Sequence, residues 1–233
     1  MALPQPSQPA HTLPGELALG LALGLALVIN SLGVVLMLRS GGGISAISSL
    51  PYALSLALPA LSLGTWTYLF QGALVAGLMV LRRRFVPAYL FSFVVGFLFG
   101  KLLDLQAGWL SPLPEGLPWR VGYFLLSYLL ICLGIALSNH CGLPIIPTDL
   151  FPREVAAITG LPYARVKIGF DASCLAGTVV LTLCCLGQVE GLGIGTVAAA
   201  LTMGKVIGWM GQGVARHLRF RPRAVPHRRL RQA

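Results

Sequence analysis

Runs of about 20 apolar residues recur along this chain, and each is long enough to cross a bilayer as a helix. They stay apolar throughout, without the alternation of a transmembrane β-strand, so the spans are helical. Only 10% of the 233 residues are charged, against 56% hydrophobic. Soluble domains carry about 25% charged residues, so this chain could not solvate its own surface. The fold class is therefore all-α, a polytopic transmembrane helix bundle.

Six spans are expected, at about 15–38, 61–81, 86–105, 120–138, 163–186 and 192–215. Two further pieces are too short to cross. Ile44–Leu58 follows the glycine cluster Gly41–Gly43, which should break a helix, and holds Pro51. The second runs from about Leu150 to Thr159, with Asp149 as an N-cap and Gly160 as a stop. Pro152 is expected in its first turn, where a missing N–H costs little.

The organisation reads as a disordered N-terminus (1–14), a first transmembrane repeat (15–105), an outer connector rich in proline (106–119), a second repeat (120–215) and a basic tail (216–233). The first apolar run has span length and no basic region ahead of it. It reads as a span and not as a cleavable signal peptide.

The net charge of +10 suggests nucleic acid, but the placement of the charge argues otherwise. Seven arginines follow the last span (Arg216, Arg219, Arg221, Arg223, Arg228, Arg229, Arg231), and three more form the turn Arg82–Arg84. With six spans both termini lie on one side. If that side is the cytoplasm, Arg153, Arg165 and Lys167 join these residues there, while the outer segments hold only Arg39 and Arg120. Positive charge stays inside, so both termini are expected in the cytoplasm. The partner implied by this basic surface is the lipid bilayer, not nucleic acid.

No cofactor or metal is expected. The cysteines Cys132, Cys141, Cys174, Cys184 and Cys185 form no Cys-x-x-Cys pair and read as free thiols. His140 and Cys141 lack further ligands for a metal. The glycine-rich Gly191–Thr196 lacks the Lys-Ser/Thr of a phosphate loop and opens a span, so close helix packing explains it better. No Ser-His-Asp or paired-carboxylate arrangement stands out, and no enzyme is expected.

The halves match each other. Ser31–Leu36 aligns with Cys132–Leu137, and at the same offset Gly41 meets Gly142, Ser48 meets Asp149 and Pro51 meets Pro152. One residue of slippage then aligns Phe70-Gln71 with Phe170-Asp171 and Ala76-Gly77 with Ala176-Gly177, and Gly100-Lys101 meets Gly204-Lys205. Each half holds three crossings and one short piece. An odd number of crossings inverts the second half relative to the first. Two inverted three-helix repeats with short broken or re-entrant helices are a recurring transporter plan.

Asn139–Asp149 (NHCGLPIIPTD), Phe170-Asp171 and Gly191–Lys205 (GLGIGTVAAALTMGK) resemble the YitT/YczE group of bacterial inner-membrane proteins, over about 17–211. Many of those relatives carry Pro-Trp-Asp where this chain has Pro147-Thr148-Asp149. The resemblance implies fold and a bacterial inner-membrane location more than an activity.

Lys101, Lys205 and Asp171 lie within apolar runs, where a charge costs several kcal/mol and must face protein or a cavity. One reading is a structural Asp171–Lys205 ion pair. The other is a central substrate-binding site formed by Lys205, Lys101, Asp171, Asp149, Gln71, Ser48 and Thr148. Lysines and the N-termini of the short helices both favour an anionic group. The function expected is transport of a small solute or ion, an anionic or amphoteric metabolite, by alternating access. The alternative is a membrane scaffold or accessory factor that transports nothing. A homo-oligomer is left open.

Overall fold

The computed structural model describes the backbone of residues 15–140 and 146–217, and the side chains of residues 20–138 and 146–213. The expected disorder of 1–14, the motif centre at Cys141 and Gly142, and most of the basic tail lie outside the described residues. Eight helices follow in order: α1 (Gly15–Ser40), α2 (Ala46–Ala57), α3 (Leu63–Arg82), α4 (Pro87–Trp109), α5 (Leu117–His140), α6 (Pro147–Thr159), α7 (Tyr163–Leu186) and α8 (Ile194–His217). Six are long and apolar enough to cross a membrane. Large apolar side chains such as Val80, Leu125, Val180 and Leu201 point outward, as lipid-facing residues do. The chain is a multi-pass, all-helical membrane protein.

The spans fall where the apolar runs place them, with two informative differences. α4 continues a full turn past the expected end at Leu105. Gln106 explains this: it is buried and donates to the Val28 carbonyl of α1 at 3.2 Å, so packing extends the helix. α6 begins at Pro147, three residues early. Proline is pre-organised for the first helical position, and Ile146 takes the N-cap with no side-chain bond. Asp149 is therefore the third residue of the helix and not its cap. Pro152 sits inside the helix rather than in its first turn. Gly160 ends α6 in the left-handed conformation at φ 71°, as expected.

Glycine brings α1 and α5 together. A Cβ on Gly33 would lie 2.7 Å from Ile131 Cγ1 and 3.2 Å from the Ser127 carbonyl. One on Gly134 would lie 2.9 Å from Asn30 Cβ and 3.2 Å from the Ala26 carbonyl. Later residues of α1 thus meet earlier residues of α5, and the two helices run antiparallel.

The short helices cross over between the halves. α2 packs on α7, and α6 packs on α3. Within each half, α4 lies against α1, and α8 lies against α5. α3 and α4 close on each other, with a Cβ on Gly100 only 2.5 Å from the Gly64 carbonyl. The Asp104 carboxylate ties the end of α4 to the start of α3, accepting from Ser62 Oγ at 2.6 Å and from the Gly64 amide at 2.8 Å. α7 and α8 form no comparable interface among the described residues, although they are consecutive. Their connecting turn instead binds the α1–α2 turn, through Ile44 N–H to Gly191 O at 3.0 Å and Gly195 N–H to Gly42 O at 2.8 Å.

Candidate functional site

A cavity of about 430 Å³ lies where all eight helices meet. That is a common size for a small-molecule site. Much of its wall is apolar, from Phe70, Phe99, Ile131, Ile135 and Met203. The polar groups are few and come from identifiable local structure.

The two short helices supply the first set. α6 starts deep in the bundle, because a Cβ on Gly96 would lie 3.2 Å from Pro147 Cδ. Gly96 is nine residues past the start of α4, about 14 Å along it by helical rise. The far part of α6 reaches the other end of α3 and α4, where Glu154 meets Arg82 and Tyr89. α6 is thus a half-helix whose N-terminus opens inside the protein.

The first turn of α2 also reaches the cavity wall, through Ser45, Ala46, Ile47 and Ser48. Its N-cap Ser45 donates to Ser48 Oγ at 3.0 Å, and no acid lies in the turn. Each half-helix carries an internal proline, Pro51 or Pro152, with no N–H to give to the carbonyl four residues earlier. Those carbonyls belong to Ile47 and Thr148, and both residues line the cavity.

The second set comes from α3, α6 and α7. Gln71 is 1% exposed and lines the cavity, yet its Oε1 has no hydrogen-bond partner. Gly96 makes room for that oxygen; any Cβ there would overlap it. Asp171 accepts from Lys167 Nζ one turn away, at 2.6 and 2.8 Å. Asp149 and Arg153 also line the cavity, one turn apart on α6, and neither is in an ion pair among the described residues. Burial pushes the Asp149 carboxyl above the usual carboxylate range, against the pull of Lys167 and Arg153. The cavity therefore holds one satisfied ion pair, one open carboxylate, one open guanidinium and one unpartnered amide oxygen.

Five of the residues expected from the sequence line this cavity: Ser48, Gln71, Thr148, Asp149 and Asp171. Lys101 and Lys205 are not among its lining residues. Lys101 is exposed, with Nζ 5.8 Å from the Tyr68 ring centroid and 5.6 Å from that of Phe97. Lys205 is exposed on α8. The expected Asp171–Lys205 ion pair is replaced by Asp171–Lys167, because α7 and α8 do not close and a lysine one turn back on the same helix is already in reach. Asn30, Arg153, Tyr163 and Lys167 line the cavity without having been expected there. The i, i+4 spacing of Lys167 and Asp171 was the one available signal; the others depend on tertiary placement.

The profile of a family of unknown function, DUF6198, matches residues 20–212. The chain belongs to that family. The DUF6198 match runs from α1 into α8 and so includes both half-helices and every residue of the cavity wall. No curated protein and no solved structure matches the chain.

Proposed function

We propose that this protein carries a small solute across the bacterial cytoplasmic membrane by alternating access, with both termini in the cytoplasm, and that it is not an enzyme. The observation that carries the reading is the central cavity, walled by both halves of the chain and holding an open carboxylate and an open guanidinium. Polar groups at that depth are costly, and a solute pathway gives a reason for them.

An inverted repeat fits the contacts. The partners of Gly33, residues 127 and 131, exceed the partners of Gly134, residues 26 and 30, by 101, the same offset that relates the two glycines. Gly177 meets Leu50 as Gly77 meets Phe151, at 3.2 and 3.8 Å from the added Cβ. The α2–α7 contact answers the α6–α3 contact in the same way. Two-fold-related halves that differ only in how tightly one hairpin closes are what alternating access needs. Here α3–α4 is closed and latched by Asp104, and Asp104 falls on Gly208 in the second half, where no latch is possible. The moving hairpin is then α7–α8. The YitT/YczE resemblance supports the bacterial inner-membrane location.

The test is reconstitution. Proteoliposomes are loaded with a metabolite extract, and efflux is compared with empty vesicles. The counterpart of the Gly64–Gly100 contact is Ala164 with Gly204. In a background without other cysteines, Ala164→Cys with Gly204→Cys should cross-link during turnover and stop the flux. If correctly inserted protein moves nothing above the empty vesicles, transport is wrong and the accessory-scaffold reading replaces it.

A further inference from the structure

The two half-helix N-termini occupy matching places in the halves, but they are not electrostatically alike. Ser48 is the third residue of α2 and Asp149 the third residue of α6. A helix N-terminus carries a partial positive charge and unpaired N–H groups, which suit a carboxylate or another anion. At α2 nothing offsets this. The turn holds only Ala46, Ile47 and Ser48, with the Ser45 and Ser48 hydroxyls beside it. At α6 the Asp149 carboxylate occupies the turn, cancels the field and presents negative charge to the same cavity. The scaffold thus offers an anion-seeking face from one half and a cation-seeking face from the other.

The unpartnered Gln71 carbonyl is an independent pointer to a ligand. A buried acceptor left without a hydrogen bond costs about 1–3 kcal/mol, and a polar group held in the cavity would relieve it. The Thr148 carbonyl, denied its helical donor by Pro152, is a further acceptor beside Asp149. Between these polar groups the wall is apolar, with Phe70, Phe99, Ile131 and Met203.

We infer that the solute is a small zwitterion with an apolar body, of the amino-acid type: its carboxylate rests on the N-terminus of α2 at Ser45 and Ser48, and its ammonium group is held by Asp149 and the Thr148 carbonyl within reach of Gln71. Lys167 and Asp171 satisfy each other, which leaves Arg153, one turn along α6 from Asp149, as the other open charge of the wall. A singly charged solute would satisfy one face and leave the other open, which is the basis of discrimination. This assignment rests on the transport reading and specifies its substrate.

The experiment measures ligand-induced thermal stabilisation of the full-length protein in detergent. Glycine, leucine and phenylalanine are compared with their N-acetyl derivatives, which lack the ammonium charge, and their amides, which lack the carboxylate. The intact zwitterions with apolar side chains should bind at least tenfold more tightly than either derivative. Asp149→Asn should erase the advantage over the N-acetyl form. Ser48→Asp, which puts an acid into the α2 turn, should reverse the preference in favour of the amide. Size-exclusion profiles check folding, and the Ser48→Asp swap of preference is a gain that misfolding could not mimic. Equal binding of a capped derivative, or no binding of any zwitterion at millimolar concentration, overturns the inference. If proteoliposomes then carry some other solute, transport stands and only the substrate class has failed; if they carry none, both fail.

Discussion

Ser49 Oγ lies 2.8 Å from Thr178 Oγ1, and both side chains are wholly buried between α2 and α7. At the corresponding sequence positions Leu150 packs on the buried cluster of Val75, Leu78 and Tyr89, so an apolar contact stands where α2 and α7 have a hydrogen bond. Each hydroxyl also has a carbonyl of its own helix within reach, Ser49 that of Ala46 at 2.7 Å and Thr178 that of Cys174 at 2.9 Å, so one hydroxyl donates across while the other donates to its own carbonyl. Removing one partner therefore leaves the other satisfied. Ser49→Ala is expected to cost about 1 kcal/mol. Ser49→Ala with Thr178→Val should cost less than the sum of the single changes, because the contact is lost only once. Denaturation of the three variants measures this.

Gly33 and Gly134 yield a matched pair of predictions. Each faces backbone and a side chain within about 3 Å of any added Cβ. Gly33→Ala and Gly134→Ala should each destabilise by about 1–3 kcal/mol, in similar amounts, because their surroundings are related. Gly24→Ala, with open space around it, is the control and should cost nothing measurable. A large difference between the two test variants would count against the symmetry.

Asp104 holds the start of α3 through two hydrogen bonds. Asp104→Ala should destabilise by about 1 kcal/mol, because the Gly64 amide it leaves is partly buried while the Ser62 hydroxyl is exposed and can turn to water. Hydrogen exchange should speed up at Gly64–Thr67 and leave α7 and α8 unchanged. If α3 and α4 stay equally protected, the carboxylate is not their latch.

Asp149 sets a pH dependence. Its folded pKa is raised above the ordinary 3.8, chiefly by burial. The folded protein thus keeps this proton to higher pH than the unfolded chain does. The stability contributed by this group is complete below pH 3.8 and is lost as pH rises through the folded value. Asp149→Asn cannot lose a proton, so its melting temperature relative to the parent should climb as pH rises above 3.8. Affinity for the zwitterion should rise over the same interval, since the ammonium group needs the carboxylate form. A pH-independent difference in melting temperature would remove the argument.

Much of this architecture could be read from apolar periodicity, because a span must be continuously apolar and about 20 residues long. α7 shows this best: Tyr163–Leu186 is bounded by Pro162 and the left-handed Gly187, and both ends were visible in the sequence. Helix ends fixed by tertiary packing were not visible, as with Gln106 extending α4. Ser48, Asp149, Gln71 and Asp171, which the repeat offset pairs in sequence, all line one cavity. The same logic misplaced Lys101 and Lys205. Matching positions need only be related to each other, and both lysines lie outside the cavity wall. Lys167 was read as a topology charge, since its sequence neighbours do not reveal which face of α7 turns inward.

Lys205 sits near the middle of α8 with its side chain exposed. Where the chain stands alone in a bilayer, that ammonium is too deep to reach either interface by stretching. Headgroups and water must come to it, which draws the leaflet inward beside α8. The protein would carry its own thin patch of membrane on that flank, favouring shorter acyl chains there.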